Sequence, residues 1–256
     1  MPATRRAPDR VLATESALAT VELYLGDAYA RSCDTRVSRV DTRGVQLDRT
    51  PFYAQGGGQP GDRGLLTLPD GRRIEIATTL RDKDSGEIIH VPVEGASVEL
   101  TAGDNVSAAI DWDLRYAHMR CHTCLHLVCA LVPYPVTGGS VRAGSGRLDF
   151  DIPQPLLDKE TLTEQLNELI ARNATLTTES ISEAELRAQP ELVRTLEVGP
   201  PARDGKIRLV RIEGIDLQPC GGSHLRRTGE VGRARVVKIE KKGRQNRRVE
   251  VAIEDL

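Results

Sequence analysis

Two short stretches far apart in the chain set the strongest condition on any fold it can adopt: His122-Thr-Cys-Leu-His126 and Cys220-Gly-Gly-Ser-His224. Each carries two side chains that bind borderline-soft metals. Neither can make a site alone, because Zn²⁺ takes four ligands with at least three from the protein. On a helix, His122 and His126 stand at i and i+4, on one face about a turn apart. The Gly-Gly pair lets the backbone turn tightly between Cys220 and His224. The combined His₃Cys set suits Zn²⁺, one ion per chain, rather than Mg²⁺ or Ca²⁺. The spacer Thr-Cys-Leu lacks the Glu of His-Glu-x-x-His, which argues against a protease with a helix-borne base. Outside these stretches, His90 lies in the strand-like run Ile-Ile-His-Val-Pro and reads as structural.

With 256 residues the chain can build one large domain or two modest ones. Only 3% of residues are aromatic, so Leu, Val, Ile and Ala must fill the core. The net charge of −2 says nothing about partners by itself. The polar N-terminus has no apolar h-region, so no secretory signal is expected. No apolar run approaches the ~18 residues needed to span a bilayer, and no membrane partner is expected. Five cysteines without framework spacing point to a reducing compartment, the cytoplasm. Cys121, Cys124 and Cys129 read as small packing residues rather than ligands. No obligate protein partner is evident.

Residues 1–19 read as a flexible leader. Over 20–110, short alternating runs separated by turn residues predict a small β-barrel-like domain. The runs are 36–40, 44–48, 65–68, 73–77, 87–91, 97–100 and 106–110. Within them lies Phe52-Tyr53-Ala-Gln-Gly56-Gly57-Gly58-Gln59-Pro60-Gly61-Asp62-Arg-Gly64. Three consecutive glycines make either a turn between strands or a place where another chain or ligand approaches closely. The pattern is not a phosphate loop, lacking Gly-x-x-x-x-Gly-Lys-Ser/Thr.

From 111 to 256 the sequence predicts an α+β domain bearing the metal site. A helix over 112–131 carries the histidines and is stopped by Pro133 and Pro135. A second helix covers 157–173, with Leu162, Leu166, Leu169 and Ile170 on one face. Thr161 with Glu164, and Ser182 with Glu185, form capping-box patterns. Strands are expected at 147–152, 206–212, 233–239 and 247–253. Between Leu225 and Arg248 ten Lys or Arg stand against two Glu. The loop carrying Lys241, Lys242, Arg244, Arg247 and Arg248 is the densest part. It reads as a nucleic-acid-binding segment or as a solvated hairpin.

The paired zinc motifs resemble the editing domain shared by alanyl-tRNA synthetase and the free-standing alanyl-tRNA editing proteins, the AlaX family. Further stretches carry the resemblance: the Phe52–Gly64 segment, Asp111-Trp112 through His126, Arg147-Leu-Asp-Phe-Asp151, and Asp216-Leu-Gln-Pro-Cys-Gly-Gly-Ser-His224 running on to Gly232. The chain differs from the family pattern at Ala54-Gln55, where Pro-Glu is usual, at Ser223 in place of Thr, and at Ser140 in place of Gln. The resemblance implies a zinc-dependent deacylase of mischarged tRNA(Ala), of the medium-length class, with Ser-tRNA(Ala) and Gly-tRNA(Ala) as substrates. It implies an N-terminal β-barrel-like domain, with the glycine motif near its junction to the editing domain. Gly56, Gly57, Gly58, Gln59 and Ser223 are then candidates for substrate binding.

Hydrolysis of such an ester needs a positioned water, oxyanion stabilisation and a pocket that admits serine. Zinc can activate water, polarise the carbonyl, bind the α-amine or organise the pocket. Gln218, two residues before Cys220, is a candidate for orienting water or substrate. A site that hydrogen-bonds the serine hydroxyl can reject alanine strongly. Thr123 and Ser223 are the hydroxyls beside the ligands. Rival readings are a zinc deacylase of another aminoacyl-tRNA and a tRNA-binding zinc module without catalysis.

Overall fold

The computed structural model describes residues 19–153, 158–195, 202–203 and 205–254. The leader expected over 1–19 lies almost wholly outside them. After a two-residue strand β1 (Val21–Glu22), which pairs in parallel with β4 (Arg49–Thr50), the chain enters a closed barrel. Its strands are β2 (Ser32–Asp41), β3 (Gly44–Leu47), β5 (Gly64–Thr67), β6 (Arg73–Arg81), β7 (Ile88–Pro92) and β8 (Asn105–Ile110). They close in the order β2-β3-β7-β6-β5-β8, the barrel the alternating runs predict. Val106, Ala108 and Ile110 alternate inward from β8, and Ile74 and Ile76 do so from β6, as the two-residue period of a strand requires. They meet Val37, Leu47, Phe52 and Leu66 in one core.

Residues 97–100 are not the strand that their alternation suggests. Leu100 is buried and Val98 packs on the barrel core, so the apolar pattern serves burial. The pairing of β2 with β8 has already closed the barrel and leaves no edge for another ladder.

The barrel hands over at Asp111, whose side chain accepts from the Leu114 N–H and caps α1 (Trp112–Leu131). This helix is buried on nearly all sides, as one enclosed between layers must be. One flank packs on α2 (Lys159–Ala171) and on a sheet ordered β15-β16-β10-β9: β9 (Val136–Arg142), β10 (Ser145–Asp151), β15 (Ala234–Lys241) and β16 (Asn246–Ile253). Cys121, Cys124 and Cys129 lie in this core with Leu125, Leu127, Val128 and Phe150. A second sheet joins β11 (Leu176–Ser182), β12 (Ala202–Arg203) and β14 (Asp216–Pro219) to β13 (Lys206–Ile212).

Two local expectations change. α2 begins at Lys159 and is capped by Asp158, which accepts from the Thr161 N–H, so Thr161 supplies a backbone donor instead of a capping hydroxyl. β11 has no counterpart in the sequence reading, because its residues are mostly exposed and show no apolar alternation. At Ser182 the capping box forms with Glu185 and opens α3 (Glu183–Arg187).

Candidate metal centre

α1 is pinned at its first turn by a buried ion pair. The Arg115 guanidinium grips the Asp62 carboxylate and also donates to the carbonyls of Ala28 (3.0 Å) and Pro51 (2.7 Å). Asp62 accepts in addition from the Tyr53 N–H at 2.7 Å. The helix is thereby registered against the barrel, and His122 and His126 project from its inner face. Opposite them, β14 ends in the Cys220-Gly-Gly turn, which the Cys220 N–H ties to the Arg208 carbonyl of β13 (3.1 Å). One ligand atom from each of His122, His126, Cys220 and His224 lies within 4.8 Å of all the others. Cys220 Sγ stands 3.5 Å from His122 Nε2 and 3.3 Å from His224 Nε2.

The surroundings decide which nitrogens face inward. The Oε1 of Gln59 can only accept, and His122 Nδ1 lies 2.9 Å from it, so Nδ1 carries the proton and Nε2 keeps its lone pair for the cluster. The Nδ1 of His224 lies 3.3 Å from Thr123 Oγ1, which leaves its Nε2 beside the thiol. His126 Nδ1 is buried without a hydrogen-bond partner among the described residues. Burial depresses all three imidazoles, His122 to about 3 and His126 and His224 well below the ordinary value, so they stay in the neutral form that binds metals. Burial raises the Cys220 thiol, and the Gly222 N–H and Arg208 oppose that rise. Three neutral imidazoles and a thiol converging on one point fit Zn²⁺ by donor softness and number.

The glycine segment reaches this centre from the barrel. Gly56 and Gln59 bridge across a two-residue turn in which Gly57 (φ +55°) and Gly58 (φ +79°) are left-handed, the geometry of a tight hairpin turn. A Cβ on Gly58 would come within 2.8 Å of the Gly139 carbonyl of β9, and the Val141 N–H donates to the Gly58 carbonyl at 2.8 Å. The stretch is therefore both a turn and a close approach between chain segments. It delivers Gln59, fully buried, whose Nε2 donates to Ser223 Oγ (2.8 Å) while its Oε1 receives the Ser223 N–H (3.1 Å) and His122. Gln59 and Ser223, candidates for touching substrate, thus bond to one another behind the ligands.

Thr123 is also fully buried, and its hydroxyl accepts from the Leu225 N–H (3.2 Å) beside His224. Gln218 on β14 is buried and donates from Nε2 to Asp216 Oδ2 at 2.6 Å. Of the basic residues, Lys241, Lys242 and Arg244 are exposed, Lys242 pairing with Glu240 at 2.7 Å. Arg247 and Arg248, expected with them to meet nucleic acid, have partners within the protein. Arg247 is 8% exposed and donates to the carbonyl of Asn246, and Arg248 is held by the Asp149 carboxylate at 2.7 and 2.9 Å. Arg247 is buried, whereas Arg248 lies on the other face of the sheet and stays part-exposed. Beside the cluster stands Arg208, whose Nη1 donates to the carbonyls of Cys220 (2.8 Å) and Gly222 (2.9 Å). A lone arginine in an alternating strand gives no signal of its own.

Two family profiles match the chain. "Threonyl and Alanyl tRNA synthetase second additional domain" matches residues 207–250, and "tRNA synthetases class II (A)" matches residues 15–114. The chain is 37% identical over 240 residues to alanyl-tRNA editing protein AlaX-M of Methanosarcina acetivorans, covering 90% of this chain and 97% of that protein. It is 35% identical over 237 residues to AlaX-M of Saccharolobus solfataricus, covering 90% and 97%. An alanine–tRNA ligase of Saccharolobus islandicus is 32% identical over 233 residues, covering 87% of this chain and 25% of the ligase.

Proposed function

The chain belongs to the alanyl-tRNA editing proteins of the AlaX family, and from that premise we propose that it is a zinc-dependent trans-editing hydrolase. Its substrates are tRNA(Ala) esters mischarged with serine first and glycine second, and it works in the cytoplasm, where tRNA is charged. The observation that carries this reading is the convergence of the ligand atoms of His122, His126, Cys220 and His224 within 4.8 Å.

When bound, the ion supplies Lewis-acid chemistry, polarising the ester carbonyl or lowering the pKa of a water to about 7. The chain's own groups arrange the rest. Gln59 and Thr123 hold the rings of His122 and His224 in one orientation. Cys220 is the one of the four residues that is only partly buried. Asp216 holds the Nε2 of Gln218, which turns the amide oxygen toward acceptance from a water or the substrate amine. Lys241, Lys242 and Arg244 offer exposed charge for the tRNA backbone.

The test is hydrolysis of seryl-, glycyl- and alanyl-tRNA(Ala) by zinc-loaded and chelated protein. Serine- and glycine-selective cleavage that disappears on chelation supports the reading. Tight tRNA binding with no cleavage of any ester would make the protein a binding module. Cleavage of another mischarged tRNA in preference would move the substrate assignment.

A further inference from the structure

We propose that Arg208 is a substrate-binding residue whose guanidinium receives the phosphodiester preceding the esterified 3′-terminal nucleotide of the tRNA. The proposal rests on the deacylase reading and adds a contact that neither the metal cluster nor the basic loop supplies.

Side chains alternate along β13. Ile207 and Leu209 enter a small apolar cluster with Leu186, so Arg208 projects from the opposite face, toward the ligand turn. Lys206 shares that face two residues earlier. Arg203, directly opposite Lys206 across the β12–β13 pair, shares it too. A line of three cations therefore runs along this ribbon and ends at Cys220.

Arg208 differs from its neighbours in its partners. Arg203 and Arg81 both grip the Glu22 carboxylate. Arg208 bonds only to main-chain carbonyls, and its Nε is buried with no partner among the described residues. The ionisable groups that act on it include Cys220, Tyr24, Tyr53 and Arg203, and the imidazoles of His122, His126 and His224 feel its charge in turn. The charge is anchored on backbone carbonyls and has no carboxylate partner among the described residues. A half-buried cation without an anion is costly, and a protein retains one where an anion arrives from outside.

The substrate's chemistry narrows what that anion is. In an aminoacyl ester the amino acid has lost its carboxylate, leaving an amine, a side chain and a neutral ester. Close to the ester, negative charge resides only on the phosphodiester of the terminal nucleotide. A guanidinium fixed against the ligand turn is suited to hold that phosphate while the ester meets the metal cluster.

The experiment compares wild type, Arg208→Gln and Arg208→Lys on seryl-tRNA(Ala) and on 3′-O-seryl-adenosine, which lacks the phosphate, with zinc per chain measured for each. Arg208→Gln should raise KM for seryl-tRNA(Ala) about tenfold with little change in kcat, and Arg208→Lys should recover most of that loss. The phosphate-free ester should show no such penalty, and zinc content should not fall. Equal losses on both esters, or loss of zinc, would mean that Arg208 serves the thiolate and its turn, and would overturn the proposal, as would no change on either ester. If wild type cleaves neither ester, the deacylase reading fails instead. Filter binding of uncharged tRNA(Ala), expected to be about tenfold weaker for Arg208→Gln, then tests the phosphate contact by itself.

Discussion

The barrel and the half that carries the His/Cys cluster both bury histidines, and by exposure and acidity His90 of the one and His122 of the other look alike. His90 is wholly buried and its pKa is pushed down to about 4, and His122 is 7% exposed and pushed down to about 3, both chiefly by burial. The difference lies in the second ring nitrogen. In His90, Nδ1 bonds to the Val45 carbonyl at 3.0 Å and Nε2 to Thr50 Oγ1 at 2.8 Å, so the protein uses both nitrogens. In His122 only Nδ1 is committed, to Gln59, and Nε2 points to Cys220. A depressed histidine pKa therefore reports desolvation. Function is marked by a nitrogen that converges with other donors on a shared point.

The comparison breaks first at Cys220. Removing one of the four donors in Cys220→Ala should leave the purified protein with little zinc and deacylation at background, while urea unfolding in the presence of a chelator stays close to that of wild type. A variant that kept a full complement of zinc would show that the cluster is not the binding centre.

His90→Ala should do the reverse. It empties a packed site against Phe52 and strips partners from Thr50 and the Val45 carbonyl, so it should cost about 3 kcal/mol in urea unfolding with zinc per folded chain unchanged. A large loss of zinc at unaltered stability would abolish the distinction between the two histidines.

Acidity sharpens it. The unfolded chain protonates His90 near its ordinary value of 6.5, whereas the folded chain holds it neutral down to about 4, so the unfolded state binds more protons in this window. Stability should rise with pH from about 4 to 6.5, with His90 contributing on the order of 3 kcal/mol across it. Denaturation at several pH values, with wild type and His90→Phe side by side in chelator, measures the share of the slope that belongs to His90. Equal slopes would assign it to the metal-facing imidazoles.

The smallest effect is expected at Gln59. Gln59→Ala leaves all four donors but frees His122 Nδ1 and Ser223, and should weaken zinc affinity about tenfold in a competition with a coloured chelator. Unchanged affinity would reduce Gln59 to a packing residue.

Much of this was legible in the chain as written. The barrel strands announce themselves by alternation, and α1 by its histidine spacing and its stop at Pro133 and Pro135. The exposed β11 carries no such pattern, and the apolar positions at 98 and 100 imitate a strand where no edge exists to pair with. The basic loop shows the same limit. Arg247 and Arg248 read alike as charge in a sequence, whereas the fold buries Arg247 against backbone carbonyls and leaves Arg248 part-exposed beside Asp149.

The sequence by itself determined the donor set and the local elements that present it, because ligand chemistry, strand alternation and helical spacing are properties of neighbouring residues. Packing settles which nitrogen of His122 faces the cluster, why Gln59 lies behind it, and that Arg208 stands beside Cys220 with no carboxylate partner among the described residues. Those facts depend on pairs distant along the chain, Gln59 with His122 and Arg208 with Cys220, and only the packing of the barrel and the β13–β14 ribbon against α1 brings them within bonding distance.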